Sequence, residues 1–287
     1  MKNHSYIHAS EHAHSRITPA IVTQAKQMRA INGWVLLRGF NTNLDNFSQL
    51  LNNVCTRLTF DPARNHPTQS TQKVDAGTAA IGLHTENGNT PSPPDLVAFC
   101  SVKSAKEGSQ TTLCDGIDLY QLMPDYLKRR LNQPLTVTRS LPENRWKRYV
   151  ANEHPDITTP VQVTIKHLEQ VLSQNPGQTA QLNDQGDLEY SLTISPIVHH
   201  RSGKKAFANA ILGPSFNYEP PRYQFADGSP LSQKLKNELA ELAEHVTFEL
   251  QWHDNDVVLI DNTRVMHGRR EILGDPQERQ LFIGMGF

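Results

Sequence analysis

Apolar positions along this chain recur at two periods, and the switches between them mark out the elements. In "ITPAIVTQAKQMRAI", residues 17–31, they follow helical spacing behind Thr18 and Pro19, residue types that suit a helix N-terminus. "GWVLLRGF", 33–40, reads as a strand, and Leu44, Phe47, Leu50, Leu51 and Val54 place a second helix in 44–58. The short apolar run "DLVAFCSV", 95–102, predicts a buried strand behind Pro94. Residues 111–131 pass from a strand through a turn at Asp115-Gly116 into a helix. From about Leu141 to Tyr190 the chain is polar, punctuated by Pro and Asn around one helix near 161–172, the composition of a long functional loop or lid. "AFANAIL", 206–212, is strand-like, and 231–245 is the clearest helix, with Leu235, Leu239 and Leu242 on one face. "DVVLIDN" and "RQLFIGMGF" predict two closing strands around a polar turn.

Strands with only occasional helices between them do not make the regular alternation of a doubly wound sheet. A mixed α+β chain with an antiparallel barrel or jelly-roll core and flanking helices fits better. With no internal repeat or low-complexity linker, the 287 residues predict one domain, with 141–190 as a lid or insert and 1–15 as a mobile polar arm. His4, His8, His12 and His14 in that arm offer loose metal binding at most.

Composition narrows the partners. A net charge of −1 with scattered basic residues leaves no footprint for nucleic acid. The start "MKNHSYIHASEHAHSR" lacks the apolar core of a signal peptide, and no apolar run is long enough to span a bilayer, so a soluble, cytoplasmic protein without a membrane partner is expected. Three cysteines without a CxxC pair argue against a disulfide framework or a Cys-rich zinc site and for small buried hydrophobes. Neither a Gly-x-Ser-x-Gly nucleophile turn nor a phosphate or dinucleotide glycine loop occurs.

The stretch "GLHTENGNT", 82–90, carries the most pointed chemistry. In an extended segment His84 and Glu86 project to the same side, where they suit one ion, an acid–base pair or merely a polar loop. With 13 His and 29 acidic residues, chance supplies on the order of one His-x-acid triplet. The chain has three, and the other two lose weight: His167-Leu-Glu169 falls on a predicted helix, where i and i+2 diverge, and His154-Pro-Asp156 precedes it, where capping is the simpler use. Two histidines and one carboxylate make a facial triad that leaves positions open on Fe(II). The natural third ligand is His267 in "DNTRVMHGRR", since it follows the strand "DVVLIDN" and strand ends hold ligands rigidly. Taken alone, a histidine after a strand is more often an ordinary polar residue.

"HTEN", "DLVAFCSV", "EGSQTTLCDG" and "WHDNDVVLIDNTRVMHGRREILGDPQERQL", in that order, resemble the taurine dioxygenase (TauD/TfdA) and clavaminate synthase-like family of Fe(II)/2-oxoglutarate dioxygenases. The anchors run from Gly33 to the C-terminus, and Glu86 in place of the commoner Asp is similar to the clavaminate synthase branch. The resemblance implies a double-stranded β-helix core and Fe(II) bound by His84, Glu86 and His267. It also implies 2-oxoglutarate and O2 as co-substrates, with the distal carboxylate held by Thr111 and by Arg279, twelve positions after His267. A planar guanidinium suits that carboxylate better than a lysine does. The reaction implied converts 2-oxoglutarate to succinate and CO2 while a C–H bond of a small molecule is hydroxylated, desaturated or cyclised. Glu86 argues against halogenation, which needs its coordination position.

One departure stands out. The second arginine that family members acting on sulfonates or carboxylates often carry four positions after the first is here Ile283. Arg264, Arg269 or Arg270 are the candidates to replace it, with Asn87, Asn89 and Asn209 as further substrate contacts, each also explicable as a surface, turn or packing residue. An amino acid or derivative in specialised metabolism is the substrate implied by analogy with the clavaminate-like branch. A hydrolytic zinc enzyme with the same ligands and a non-enzymatic binding jelly roll stay open as alternatives.

Overall fold

The computed structural model of the chain describes residues 5–61, 64, 68–75, 77–154, 156–174, 177–213 and 220–287, so His4 and Pro155 lie outside the described residues. Its larger sheet runs Tyr6–His8, Trp34–Arg38, Val257–Asp261, Leu96–Lys103, Gln280–Gly286, Leu58–Thr59, with Gln72–Lys73 also paired to Gln280–Gly286. Only the first pair is parallel. The middle strands are unbroken apolar runs because both faces are covered. Val35, Leu37, Ala98 and Leu259 pack toward Ile21, Ala25, Phe47 and Leu51 of the helices Pro19–Asn32 and Leu44–Val54. Leu36, Phe99, Val258 and Ile283 meet Leu113, Leu250 and Val265 of a second sheet. That sheet is antiparallel throughout, in the order Thr247–Leu250, Thr111–Asp115, Val265–Arg269, Ile81–His84.

The helices predicted at 17–31 and 231–245 hold within two residues, whereas the one predicted at 44–58 ends at Val54, the one near 161–172 starts at Ile165, and the one after Asp115-Gly116 is two, Gly116–Leu122 and Asp125–Leu131. Thr18 caps the first by accepting from the Ile21 amide, and Gly33 ends it at φ 83°, a left-handed value that glycine adopts without strain. Asp115 caps Gly116–Leu122, at the strand-to-helix turn expected there. Cys100 and Cys114 are fully buried, and all three cysteines are free thiols. No helix among the described residues is long and apolar enough to cross a membrane.

Four expectations need correction. The arm expected to be mobile is pinned from Ser5 onward: Tyr6–His8 pairs with Leu36–Arg38 and buries Ile7 completely. One aliphatic residue among polar ones left little signal. The polar stretch after Leu141 is not a loop around a single helix. Leu135–Leu141, Leu188–Ile194, Gln178–Leu182 and Arg222–Phe225 form a third antiparallel sheet, covered by the helices Glu143–Glu153 and Ile165–Ser173. Strict alternation in Leu188–Ile194, with Leu188, Tyr190 and Leu192 inward, marks a half-buried strand whose outward polar residues lowered its mean hydropathy. In "AFANAIL" the strand ends at Phe207, because the Asn209 side chain accepts from the Ile211 amide and turns the chain. The closing pair of strands also has a third between them, Val265–Arg269.

Candidate active site

Val265–Arg269 is the central element of the site. It lies between Ile81–His84 on one side and Thr111–Asp115 on the other, with His267 directly opposite His84 and Arg269 opposite Thr111. Alternation along a strand puts His267 and Arg269 on one face, toward the larger sheet. Gly268 between them faces the other way and has no room for a side chain: a Cβ there would stand 2.5 Å from the Ile81 carbonyl oxygen and 2.7 Å from Thr112 Oγ1.

Glu86 joins the two histidines from the turn after Ile81–His84. One donor atom from each of His84, Glu86 and His267 lies within 4.8 Å of the others. Glu86 Oε2 is 3.2 Å from His267 Nε2 and 3.8 Å from His84 Nε2, while Oε1 accepts from Arg64 Nη2 at 2.8 Å. The turn is held from behind by Asn262, at the end of Val257–Asp261. Its Oδ1 accepts from the Glu86 amide at 2.8 Å, and its Nδ2 donates to the carbonyls of Glu86 and Pro94 at 3.1 and 2.8 Å. Asn87 follows at φ 53°, a left-handed conformation that asparagine tolerates better than most residues.

The electrostatics suit a divalent cation. Burial opposes ionisation of Glu86, but Arg64 and the neighbouring His267 and His84 rings outweigh it and hold the carboxyl well below the usual range. Burial, with the His84 ring beside it, pushes His267 down to about 4, the Glu86 hydrogen bond offsetting only part, so the ring is neutral at physiological pH. The His84 Nδ1 lies 2.8 Å from the Gly82 carbonyl, which fixes that nitrogen as the donor and leaves the Nε2 lone pair for a ligand. The Phe99 ring meets His267 edge-on at 5.2 Å, and His267 Nδ1 is buried with no hydrogen-bond partner. A carboxylate with two imidazoles is the donor set of a facial triad, so these residues fit Fe(II).

The ligands open into a cavity of about 270 Å³ whose walls include Arg64, Thr111, Arg139, Arg269 and Arg279. Arg279 is buried, and burial, then the neighbouring Arg269, lowers it to about 10. Two guanidiniums on one buried wall favour an anion. Thr111 Oγ1 accepts from the Trp252 indole N–H at 2.9 Å, which leaves its own hydroxyl proton to donate.

Of the other candidates, Asn87 and Asn89 line this cavity, Asn89 with its amide engaged by the Tyr223 hydroxyl and its carbonyl by Tyr190. Asn209, Arg264 and Arg270 are not among its lining residues. Asn209 bonds the Pro196 carbonyl and the Ile211 amide. Arg264 makes a two-pronged bridge to Asp115, at 3.0 and 2.6 Å, and Arg270 pairs with Glu244 and Glu249 at the surface. Arg269 donates to the Gly77 and Ala79 carbonyls at the cavity edge. Sequence reasoning gave no role to Arg64, Arg139 or Asn262. Asn262 had a signal, standing at a strand end five positions before a ligand, whereas Arg64 sits in a polar run with no periodicity.

Fold and site together describe a candidate metal centre with a basic pocket beside it. The family described as "Taurine catabolism dioxygenase TauD, TfdA family" matches residues 10–285, and the chain belongs to that family. It is a dioxygenase whose expected requirements are Fe(II), 2-oxoglutarate and O2. Membership removes the hydrolytic zinc enzyme and the non-enzymatic binding protein. No curated protein sequence matches the chain. Among solved structures, PvcB from Pseudomonas aeruginosa is similar at 14% identity over 98% of this chain and 84% of its own, TM-score 0.62. A second structure of PvcB describes it as an Fe, alpha-ketoglutarate dependent oxygenase from an isonitrile synthetic pathway. A taurine dioxygenase from Burkholderia xenovorans has 16% identity over 94% and 81%, TM-score 0.62. AAD-2, in complex with Mn(II) and N-oxalylglycine, has 13% over 100% and 94%, TM-score 0.61. Identities this low establish the shared mixed α/β fold.

Proposed function

We propose that this chain oxidises an unactivated C–H bond of a small molecule, by hydroxylation, desaturation or ring closure, and that the substrate is an amino acid or a derivative in specialised metabolism. The observation that carries the reading is the convergence of His84, Glu86 and His267 within 4.8 Å at the head of a cavity walled by Arg269 and Arg279. The two facing sheets serve as a double-stranded β-helix core, and the whole chain acts as one domain in which the third sheet and its two helices cover the site.

In this reading His84, Glu86 and His267 hold Fe(II), which when bound supplies the oxidising chemistry from O2. Arg64 keeps one oxygen of Glu86 occupied, so the other is presented toward the histidines. Arg279 and the Thr111 hydroxyl hold the distal carboxylate of 2-oxoglutarate, which fixes the opposite end of the co-substrate beside the histidines. Phe99 and Leu281, also on the cavity wall, exclude water from the reacting end. The likeness to PvcB supports a place in specialised metabolism.

The test is succinate formation by protein loaded anaerobically with Fe(II), given 2-oxoglutarate and then air, with a panel of free amino acids and a His267→Ala control. Substrate-stimulated succinate that disappears in the control is the expected result. Failure of the metal-loaded protein both to bind 2-oxoglutarate and to form succinate overturns the assignment.

A further inference from the structure

The cavity at the ligands does not end at their polar walls. A second cavity of about 100 Å³ adjoins it, and Asp61, Asn87, Asn89, Thr90 and Arg139 line both. Those residues form a neck shared by two chambers, the first richer in charged groups. In the second, Leu141, Trp146, Val150, Leu168, Val171 and Leu188 supply an apolar side from the third sheet and its covering helices, with Arg145, Glu153 and Gln178 among the remaining lining residues. On that apolar side the Trp146 indole N–H donates to the Gly186 carbonyl at 3.0 Å, and the Tyr190 hydroxyl donates to the Asn89 carbonyl.

Native cores pack as densely as organic crystals and leave few voids larger than a water molecule. A void of about 150 Å³ walled by aliphatic and aromatic side chains takes up benzene. The second chamber is therefore sized for an alkyl chain of roughly three to five carbons or for part of a ring.

We infer that the substrate is amphipathic: its apolar side chain lies in the chamber beyond the neck, its carboxylate head sits at the neck beside Arg139 and Asn87, and the first side-chain carbon after the head, Cβ in an α-amino acid, faces His84, Glu86 and His267. The inference rests on the reading of those three residues as the oxidising centre and adds to it the class of substrate and the position oxidised. Because the tail points away from the ligands, the hydroxyl enters next to the head and not at the tail. One oxygen atom of O2 enters that C–H bond, and the other enters succinate as 2-oxoglutarate loses CO2. The Asp61 carboxylate at the same neck suits an ammonium group on the head, which makes α-amino acids with unbranched apolar side chains the first probes.

The experiment titrates L-alanine, L-2-aminobutyrate, L-norvaline, L-norleucine and L-2-aminoheptanoate into protein loaded with Mn(II) and 2-oxoglutarate, with calorimetry as the readout. The expected dissociation constant falls about fourfold per added methylene until the chamber is full, then levels off. Leu172, half-buried on the chamber wall, is changed in both directions. Leu172→Trp flattens the series, and Leu172→Ala moves the levelling point to a longer chain, so one variant still speaks if the other fails to fold. A flat series in the parent, including one in which no member binds, overturns the inference, as does a slope that both variants leave untouched. Oxidation of the tightest binder by the Fe(II) form, located by mass spectrometry, must fall near the head, and tail oxidation overturns it. Binding of 2-oxoglutarate is measured first in the same protein. If it fails there, the oxidising-centre reading falls. If it succeeds and the series is flat, only the amphipathic substrate falls.

Discussion

Arg279→Met should make the protein more stable and a worse binder of 2-oxoglutarate at once. The guanidinium is only 7% exposed, and burial, followed by repulsion from Arg269, lowers it from the ordinary arginine value to about 10. That gap corresponds to a cost of about 3 kcal/mol for keeping the charge in the folded protein. The sign follows from the direction. A cation with a depressed folded value destabilises the fold at every pH below about 10, and the cost disappears only as pH rises from there toward the ordinary arginine value. At pH 7 the full cost is present, and methionine, flexible and of similar length, removes it. The compensating losses are a long contact from Nη1 to the Val74 carbonyl at 3.4 Å and some stem packing. A net gain of about 1–2 kcal/mol, or roughly 2–4 °C in Tm for a chain of this size, is the expected result without 2-oxoglutarate. A hydrogen-bonded charge contributes about 1.5–3 kcal/mol to holding an anion, so affinity should drop by about 10- to 150-fold. Thermal melts and calorimetric titration of the Mn(II)-loaded protein read both effects. A variant less stable than the parent would refute the burial argument, and one that binds 2-oxoglutarate within about threefold of the parent would refute the placement of Arg279.

Three further changes separate positions that hold the site from positions that do not touch it. Asn262→Ala strips the partners from the Glu86 amide and from two buried carbonyls, at about 1–3 kcal/mol for each group left unsatisfied. It should lower stability in urea by about 3 kcal/mol or more and weaken Mn(II) binding, and unchanged metal affinity would mean that the clamp does not position Glu86. Gly268→Ala drives a methyl group against the Ile81 carbonyl and Thr112, prising apart the strands that carry His84 and His267. The melt should fall by the equivalent of about 2 kcal/mol or more, with metal binding lost in parallel, and a parent-like melt contradicts the packing argument. Arg270→Ala removes only exposed pairs with Glu244 and Glu249, so stability should change by less than about 1 kcal/mol and 2-oxoglutarate affinity not at all. A tenfold loss of affinity there would bring Arg270 back into the site.

How much of this was legible in the sequence depends on whether a signal is local. Helices with caps and one apolar face, such as Pro19–Asn32 and Gln233–Glu244, could be placed within two residues because their period and their ends are written in adjacent positions. The strands Leu135–Leu141 and Leu188–Ile194 were lost, since half of each faces outward in polar residues and their pairing partners lie about fifty positions away. His84, Glu86 and His267, which the fold brings together, were singled out through a pattern, His-x-Glu, that gains meaning only from a distant histidine. Among the arginines, the bridge from Arg264 to Asp115 spans 149 positions and that from Arg64 to Glu86 spans 22, so no local window distinguishes the one that reaches Glu86 from the one that does not.

Register explains why so few residues suffice. Val265–Arg269 sets His267 against His84 on one flank and Arg269 against Thr111 on the other. Two residues along a strand span about 6.8 Å. The strand therefore sets His267 and Arg269 about the length of a five-carbon diacid apart on one face of the cavity, which Arg279 also lines. Slipping the strand by one residue would turn both His267 and Arg269 away from the cavity together, so the proposed metal and co-substrate sites cannot be lost separately through register. The apolar chamber stands outside this constraint, since its walls come from the third sheet and the helices Glu143–Glu153 and Ile165–Ser173. If that chamber takes the substrate as proposed, changes there alter which molecule is accepted while the paired strands stay in place, and this is why Leu172, rather than any residue of those strands, is the position at which to change substrate preference.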